Sequence, residues 1–182
     1  MFYTSADQTI KKEKQCLTAH ILDIERKKGC VAHQKQHARE EGKDSFYMLI
    51  IKPVEEKKQQ AALCAACGVP YREEAMAYAA RVDDVLVGIC QFTMNDHEGL
   101  IYDLASPSGT NDREALFIMA RQTLNFIDLC GVHCACFVPG AADDQAQRFL
   151  RWVGFTPDQN NRWTMDLTDF FLEPCRHHRN NS

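Results

Sequence analysis

The sequence predicts an α/β (α+β) domain in which helices flank a central, mixed, twisted sheet, and three observations support this prediction. Segments rich in β-forming residues alternate with amphipathic segments along residues 45–172. Short polar turns separate three successive strand-like segments, which predicts an antiparallel meander. A long amphipathic helix separates the fourth strand-like segment from the fifth, and a crossover of that length joins parallel strands.

Composition limits the classes of function that need to be considered. The chain has 182 residues and a formal net charge of −4, which suits one domain with an extension and predicts no general affinity for nucleic acid or an anionic membrane. No apolar run approaches the roughly 18 residues of a membrane-spanning helix. The N-terminal residues lack the pattern of a signal peptide. We therefore expect a cytoplasmic protein without nucleic-acid or membrane partners.

The chain divides into an N-terminal helical extension with a linker (residues 1–44), a domain (residues 45–172) and a polar tail (residues 173–182). The extension opens on a capping box, SADQ, at residues 5–8. One face of the predicted helix carries the apolar residues Ile10, Leu17, Ile21 and Ile24. That face packs either on the domain or on a second copy of the chain, so both a monomer and a homodimer remain open.

The domain begins with a strand over residues 45–54, rich in β-forming side chains, and a helix over residues 55–67 that Gly68 ends. The meander follows, because two short turns rich in Asp, Asn and Gly separate its strands. Its three strands are predicted over residues 76–82, 85–94 and 100–105.

The second half of the domain is built around its longest predicted helix, residues 111–130. Apolar side chains recur along it at helical spacing, and Gly131 ends it. A strand over residues 132–138, a short helix over residues 143–153 and a last strand over residues 163–170 complete the domain. The strand over residues 132–138 is predicted to run parallel to the strand over residues 100–105, because a right-handed crossover joins the two.

This order of elements resembles the GNAT superfamily of N-acetyltransferases. The most specific local match is AQRFLRWVGF at residues 146–155, which looks like that family's helix ending in Gly-Phe before the last strands. The helix ending in LCGV at residues 129–132, ahead of a strand, is a second match. The resemblance implies a GNAT-like fold, acetyl-CoA as co-substrate, and acetyl transfer to an amine of a small molecule or peptide by direct attack.

In that family acetyl-CoA lies between the fourth and fifth strands, and its pyrophosphate meets backbone N–H groups at the N-terminus of the long helix. This segment lacks the family's pair of small residues behind a Gln or Arg, and Asp112 and Glu114 place carboxylates at the same helix end. An improvised anion site and an ordinary capped helix are therefore both open. By resemblance, the cofactor-binding residues would be Leu104, Ala105, Ser108, Gly109, Thr110, Arg113 and Ala115.

The family's general base, which takes the proton of the acceptor amine, lies near the fourth strand. Glu98 and Asp103 are the candidates here, and Tyr102 is either a catalytic phenol or a packing aromatic. The alternative for Asp103 is a carboxylate that faces solvent or pairs with a nearby Arg. Many family members use a Tyr on the last helix as general acid, with an Asn earlier. Leu150 and Asp143 occupy those positions, and leucine cannot donate a proton.

These departures leave a second class of function open, a catalytically inactive GNAT-fold binding or interaction module.

A thiol or metal sensor is a third, weaker hypothesis, since the chain has nine cysteines at irregular spacings, typical of reduced thiols. Cys64 and Cys67 end a helix, where the dipole does not activate a thiol, so core packing is favoured over redox chemistry. Cys134 and Cys136 share one face of a strand. A zinc site could combine one of these cysteine pairs with Cys175, His177 and His178 of the tail, but nothing in the spacing demands it, and we expect no metal.

Overall fold

The computed structural model describes residues 47–140 and 143–171, which form one compact unit beginning at Tyr47. The predicted N-terminal extension, its linker and the polar tail lie outside the described residues, so their boundaries stay predictions. None of the helices in this described part of the chain is long and apolar enough to cross a membrane.

Ten elements build the described unit, and seven of them are strands of a single sheet. In chain order they are β1 (Leu49–Pro53), α1 (Lys57–Ala66), β2 (Met76–Val82), β3 (Val85–Met94), β4 (Gly99–Ala105), α2 (Arg113–Leu129), β5 (Cys134–Phe137), α3 (Asp144–Val153), β6 (Thr156–Pro157) and β7 (Trp163–Asp166).

The strand order in the sheet is β1-β2-β3-β4-β5-β7-β6. Strands β2, β3 and β4 pair antiparallel, which confirms the predicted meander. The pair β4 and β5 is parallel, with the long helix α2 between them in sequence, as the crossover argument required. The other pairs in this sheet are antiparallel. The mixed α/β sheet predicted from the sequence is therefore confirmed.

Helix α1 covers one face of the meander. Its buried residues Leu63 and Cys64, and Cys67 just after it, pack against Ala77, Ala79 and Ile89 of the sheet. Ala77 and Ala79 face the helix together, because alternate residues of a strand point to the same face. The loop that leads from α1 to β2 is thereby held against the same face of the sheet.

Helix α2 covers the opposite face and contributes Phe126 to an aromatic cluster with Tyr78 and Phe92. The Tyr78 and Phe92 rings are stacked at 5.7 Å, and Phe126 meets them edge-on at 6.2 and 5.9 Å. A Cβ atom added at Gly99 would lie 2.6 Å from Cδ1 of Ile127. Helix and strand therefore touch directly at the start of β4, which fixes the position of that strand.

The last strand differs from the prediction. β7 ends at Asp166, four residues before the predicted end at residue 170. The Asp166 carboxylate accepts a hydrogen bond from the Thr168 backbone at 2.9 Å, and Phe170 N donates to Leu167 O at 3.0 Å. These bonds form a turn in which Leu167 is buried, so its apolar side chain does not mark a strand. The short strand β6 was not predicted, because two residues that include a proline carry no period.

Candidate functional site

Strands β4 and β5 separate partway along their length. They pair at three register positions, the last of which joins Ile101 to Phe137. Val138 N then donates to Ile101 O at 2.9 Å. Within the described residues, Asp103, Leu104 and Ala105 pair with β3 alone. We call the space between residues 102–105 of β4 and the chain after Phe137 the strand gap. Backbone groups of β4 are available there to a ligand.

A β-bulge brings Tyr102 and Asp103 together at the strand gap. Ile101 pairs with Phe92 and Asp103 with Gln91, so Tyr102 is an extra residue in β4. Successive residues of a regular strand point to opposite faces. Here both contact Arg72, whose guanidinium carbon lies 4.5 Å from the Tyr102 ring centre and whose Nε lies 3.6 Å from Asp103 Oδ2. Two predicted site residues therefore share one face.

Gln91, on β3, is fully buried beside them and uses both ends of its side-chain amide. Its Nε2 donates to Asp103 Oδ2 at 2.7 Å and to Pro70 O at 2.8 Å. Its Oε1 accepts from Gln60 Nε2 at 3.0 Å and from Arg72 N at 3.1 Å. With four hydrogen bonds the amide is saturated. We call these five residues the Gln91 network.

Helix α1 ties the network to the loop that carries Arg72. Gln60 is fully buried, and its Nε2 also donates to Ala75 O at 3.2 Å. Lys57 Nζ donates to the same carbonyl at 2.6 Å and to Gln60 Oε1 at 3.2 Å. The loop before β2 is thus anchored from both sides. Arg72 has a fixed backbone position as a result.

Asp103 has one anchored oxygen and one open oxygen. Oδ2 accepts from Gln91 and faces Arg72, whereas no described residue donates to Oδ1. The side chain is 10% exposed, so Oδ1 is within reach of a molecule that enters the site. Nearby, the hydroxyls of Tyr102 and Thr93 lie 3.1 Å apart. A carboxylate held in this way can accept a proton without losing its orientation.

Glu98, the other predicted base, lies apart from this pair. It precedes β4 and forms an ion pair with Arg162 at 2.9 Å between its Oε2 and the arginine Nη2. Glu98 is five residues before Asp103, a separation of about 16 Å at the rise of a strand. It stands at the end where β4 and β5 are still paired. The structure therefore brings together Tyr102 and Asp103 but not Glu98.

The predicted cofactor contacts lie at the end of β4 and the start of α2. Asp112 is the N-cap of α2, and its Oδ1 accepts from Ala115 N at 2.9 Å. That bond uses the N–H that the family resemblance assigns to a pyrophosphate, which favours the capped-helix interpretation at Ala115. Leu104 and Ala105 are half-buried on β4, and Ala105 packs against the apolar cluster under α1.

The loop before α2 borders an open depression of about 810 Å³, which Gly109, Thr110 and Arg113 help to line. Ser108 is exposed in the same loop, and Thr110 N donates to Pro107 O at 3.0 Å. Gly109 has a φ of +83°, a conformation that favours glycine. These residues lie together as the resemblance implies, and their role in cofactor binding stays a prediction.

Helix α3 offers no proton donor at the position expected from the resemblance. Leu150 is 2% exposed, so its side chain belongs to the core. Asp143 is the N-cap of the helix, and its Oδ1 accepts from Ala146 N at 2.7 Å. Core packing therefore explains the leucine at position 150, and helix capping explains the aspartate at position 143.

Cys64 in α1 and Cys67 at its C-terminal end belong to the core, which confirms the core-packing interpretation of both residues. Burial raises the pKa of Cys67 to about 11, and burial and then the charge of Asp103 raise the pKa of Cys64. Burial likewise raises the pKa of Cys90 to about 12. Across residues 47–140 and 143–171, no three His, Cys, Asp or Glu side chains form a group that could hold a metal ion. The tail residues considered for zinc lie outside the described residues.

Alkylation with iodoacetamide at pH 8 is expected to modify Cys64, Cys67 and Cys90 about 100-fold more slowly in the folded protein than in protein unfolded in urea, because a thiol with a raised pKa carries little of the reactive thiolate at that pH. Peptide mass spectrometry over a time course measures the three rates in both states. Fast labelling of Cys64 or Cys67 in the folded state would favour the redox hypothesis.

Sequence reasoning missed Gln60, Arg72 and Gln91. Arg72 lies in a loop, and Gln60 falls in a helix of weak pattern. Gln91 did carry a signal, because it is an amide in the middle of the apolar strand β3. A polar group in such a position needs partners when it is buried.

No protein-family model and no curated protein matches this chain by sequence. Solved structures do match. A GNAT family acetyltransferase from Elizabethkingia anophelis with acetyl-CoA bound is 11% identical over 65% of this chain and 98% of its own, with a TM-score of 0.53. An IAA acetyltransferase from Bacillus cereus is 12% identical, over 66% and 100%, with a TM-score of 0.54. The ribosomal-protein-S18-alanine N-acetyltransferase from Escherichia coli is 11% identical, over 66% and 94%, with a TM-score of 0.53. The described unit therefore has the GNAT fold, as predicted.

Proposed function

We propose that this protein is an acyl-CoA-dependent N-acyltransferase that moves an acetyl group from acetyl-CoA to an amine. The observation that carries the proposal is the strand gap with Asp103 beside it: β4 leaves β5 after Ile101, and the bulge turns Asp103 to the face held by Arg72. The similar structure from Elizabethkingia anophelis has acetyl-CoA bound, which supports acetyl-CoA as the co-substrate here.

The proposed mechanism uses Asp103 as the general base. The acceptor enters on the face of Arg72, and Asp103 Oδ1 takes a proton from its ammonium group. The neutral nitrogen then forms a bond to the thioester carbon, and the carbon–sulfur bond breaks. Backbone N–H groups of β4 at the strand gap stabilise the negative oxygen in the transition state. The nitrogen, positively charged after the bond forms, gives up its second proton to solvent, and solvent protonates the departing thiolate, because Leu150 cannot. We assign the base to Asp103 rather than Glu98 because Glu98 is ion-paired away from the gap.

A specific observation favours the second candidate, a GNAT-fold binding module without acetyl-CoA. Asp112 uses the Ala115 N–H, and Glu114 adds a further carboxylate to the first turn of α2. Both charges oppose a pyrophosphate at that helix end.

Thermal unfolding with and without millimolar acetyl-CoA tests the two candidates against each other, with adenosine 3′,5′-bisphosphate as a partial ligand. A ligand at about 100 times its Kd stabilises the fold by about 2.7 kcal/mol, which raises Tm by about 5–10 °C for a protein of this size. We expect a saturable rise with acetyl-CoA. The absence of any shift would contradict the transferase and favour the binding module.

Asp112→Asn combined with Glu114→Gln is expected to tighten acetyl-CoA binding about tenfold. Asparagine caps a helix as well as aspartate, so the fold is kept while two charges near the pyrophosphate are lost, each worth up to about 1 kcal/mol at a helix end. Isothermal titration calorimetry measures the affinity. Glu55→Gln with Glu56→Gln makes the same change of charge at exposed positions before α1 and should leave the affinity unchanged. An equal effect of both pairs would place the pyrophosphate elsewhere.

A further inference from the structure

We propose that the acceptor is a small amine that carries a carboxylate within a few bonds of its nitrogen, as an amino acid does, and that Arg72 binds this carboxylate. The inference rests on the proposed acetyl transfer, and it names the substrate class of the same site. It follows from how Arg72 is held, from what its guanidinium lacks and from its distance to the base.

Arg72 is fixed in place by its own backbone and by an aromatic ring. Its N–H donates to Gln91 Oε1 at 3.1 Å, and its carbonyl accepts from Gln60 Nε2 at 3.4 Å. Its guanidinium carbon stands 4.5 Å from the centre of the Tyr102 ring. A guanidinium that lies over an aromatic ring keeps its edge available for hydrogen bonds in its own plane. The side chain is therefore pre-organised, although it lies in a loop.

The guanidinium has unused donors. Arg72 Nε is buried and has no hydrogen-bond partner among the described residues. The nearest carboxylate oxygen, Asp103 Oδ2, is 3.6 Å away, beyond hydrogen-bonding distance. That oxygen already accepts from Gln91 at 2.7 Å. None of the described residues accepts from the terminal nitrogens of Arg72 either, and its side chain is 35% exposed. Because Nε itself is buried, the donors that a ligand can reach are the terminal nitrogens, and an acceptor group supplied by a ligand would give them partners.

The distance between Arg72 and Asp103 selects the ligand. An amine reaches the site as an ammonium ion, and a cation at Asp103 Oδ1 lies close to the positive guanidinium. Repulsion between the two disfavours acceptors such as polyamines, which present only positive charge. A carboxylate close to the amine removes the repulsion and fills the fork of the guanidinium with two parallel hydrogen bonds. Because Nε and Oδ2 are only 3.6 Å apart, the two groups of the ligand must be neighbours, as in an α- or β-amino acid.

Matched pairs of acceptors test the inference: alanine against alaninamide, leucine against leucinamide and phenylalanine against phenylalaninamide, each with saturating acetyl-CoA. We expect kcat/KM to be at least about tenfold higher for the acids than for the amides. The amine of an amide is less basic and more of it is neutral, so intrinsic reactivity works against this expectation. Equal rates, or faster amides, would overturn the inference.

The variants Arg72→Gln and Arg72→Lys separate carboxylate binding from a structural role. Arg72→Gln should lower kcat/KM for the acids by at least tenfold, mainly through KM, and change the amides by less than threefold. Arg72→Lys keeps the charge without the fork and should give an intermediate loss. Arg162→Gln is the matched control, a partly exposed arginine in an ion pair away from the gap. An equal loss for acids and amides would overturn the role of Arg72.

The thermal shift with acetyl-CoA, measured in the same samples, separates this inference from the proposed function. If acetyl-CoA raises Tm but acids and amides are acetylated equally well, the inference about the carboxylate is overturned and the proposed transferase activity stands. The absence of both a shift and transfer overturns both. If Arg72→Gln fails to fold, the comparison of acids with amides in the unaltered protein still tests whether the acceptor needs a carboxylate.

Discussion

Replacing Asp103 with asparagine is expected to lower kcat/KM for acetyl transfer by about 100- to 1,000-fold, while the affinity for acetyl-CoA stays unchanged. A positioned general base contributes about 10²–10⁴-fold to such reactions. Asparagine is nearly isosteric and can still accept the hydrogen bond from Gln91, so the surroundings of the site are kept. It cannot take a proton from the acceptor. The loss should appear mainly in kcat, since Oδ1 acts on the proton and not on the acetyl donor.

Glu98→Gln provides the matched control, because it makes the same chemical change just before the same strand. Its ion pair with Arg162 is at the surface, and such pairs contribute little to stability. We expect the activity of this variant to stay within about threefold of the unaltered protein. Steady-state rates measured by thiol release, together with Tm for each variant, provide the test. A larger loss for Glu98→Gln than for Asp103→Asn would move the base to the other end of β4.

The large elements could be predicted because their signals are local. Turn residues separate the strands of the meander, and the length of the segment between β4 and β5 demands a crossover. The bulge at Tyr102 could not be predicted in this way. It depends on how β3 and β4 align, with Ile101 opposite Phe92 and Asp103 opposite Gln91. No pattern within a single strand carries that register, so alternation alone would have put Tyr102 and Asp103 on opposite faces.

The polar partners of Asp103 could not be predicted for a related reason. The sequence interpretation named pairing with a nearby Arg as an alternative for Asp103, and Arg72 does lie beside it. Which arginine it would be could not be known, because Arg72 lies 31 residues earlier, in a loop. The contact with Asp103 and the open donors of Arg72 are both present, so pairing and a catalytic role are compatible.

Gln91→Leu is expected to lower the free energy of unfolding by about 3 kcal/mol. Leucine fills much of the same volume, but it leaves Arg72 N and Pro70 O buried without their partners. Each such loss costs about 1–3 kcal/mol. The additional apolar burial offsets part of the cost. Urea unfolding monitored by fluorescence and circular dichroism gives the difference, provided that the slope with urea is unchanged.

Thr123→Val is the matched control, since Thr123 is also a fully buried polar residue. Its hydroxyl donates to Met119 O, one turn earlier in the same helix, at 2.9 Å. That carbonyl keeps its backbone partner when the hydroxyl is removed, so we expect a change within about 1 kcal/mol. Equal losses for the two variants would mean that the Gln91 network adds no more than an ordinary buried hydroxyl.

The Gln91→Leu substitution also links stability to activity. Gln91 donates to Asp103 Oδ2, and its loss frees the carboxylate to turn towards Arg72, which then offers the nearest donors. In that orientation the open oxygen is no longer presented to the acceptor, and the donors that would bind a ligand are used. We therefore expect Gln91→Leu, assayed at a temperature where it is folded, to lose activity nearly as completely as Asp103→Asn. An active and folded Gln91→Leu variant would show that Asp103 needs no orientation, and that the buried amide serves the fold alone.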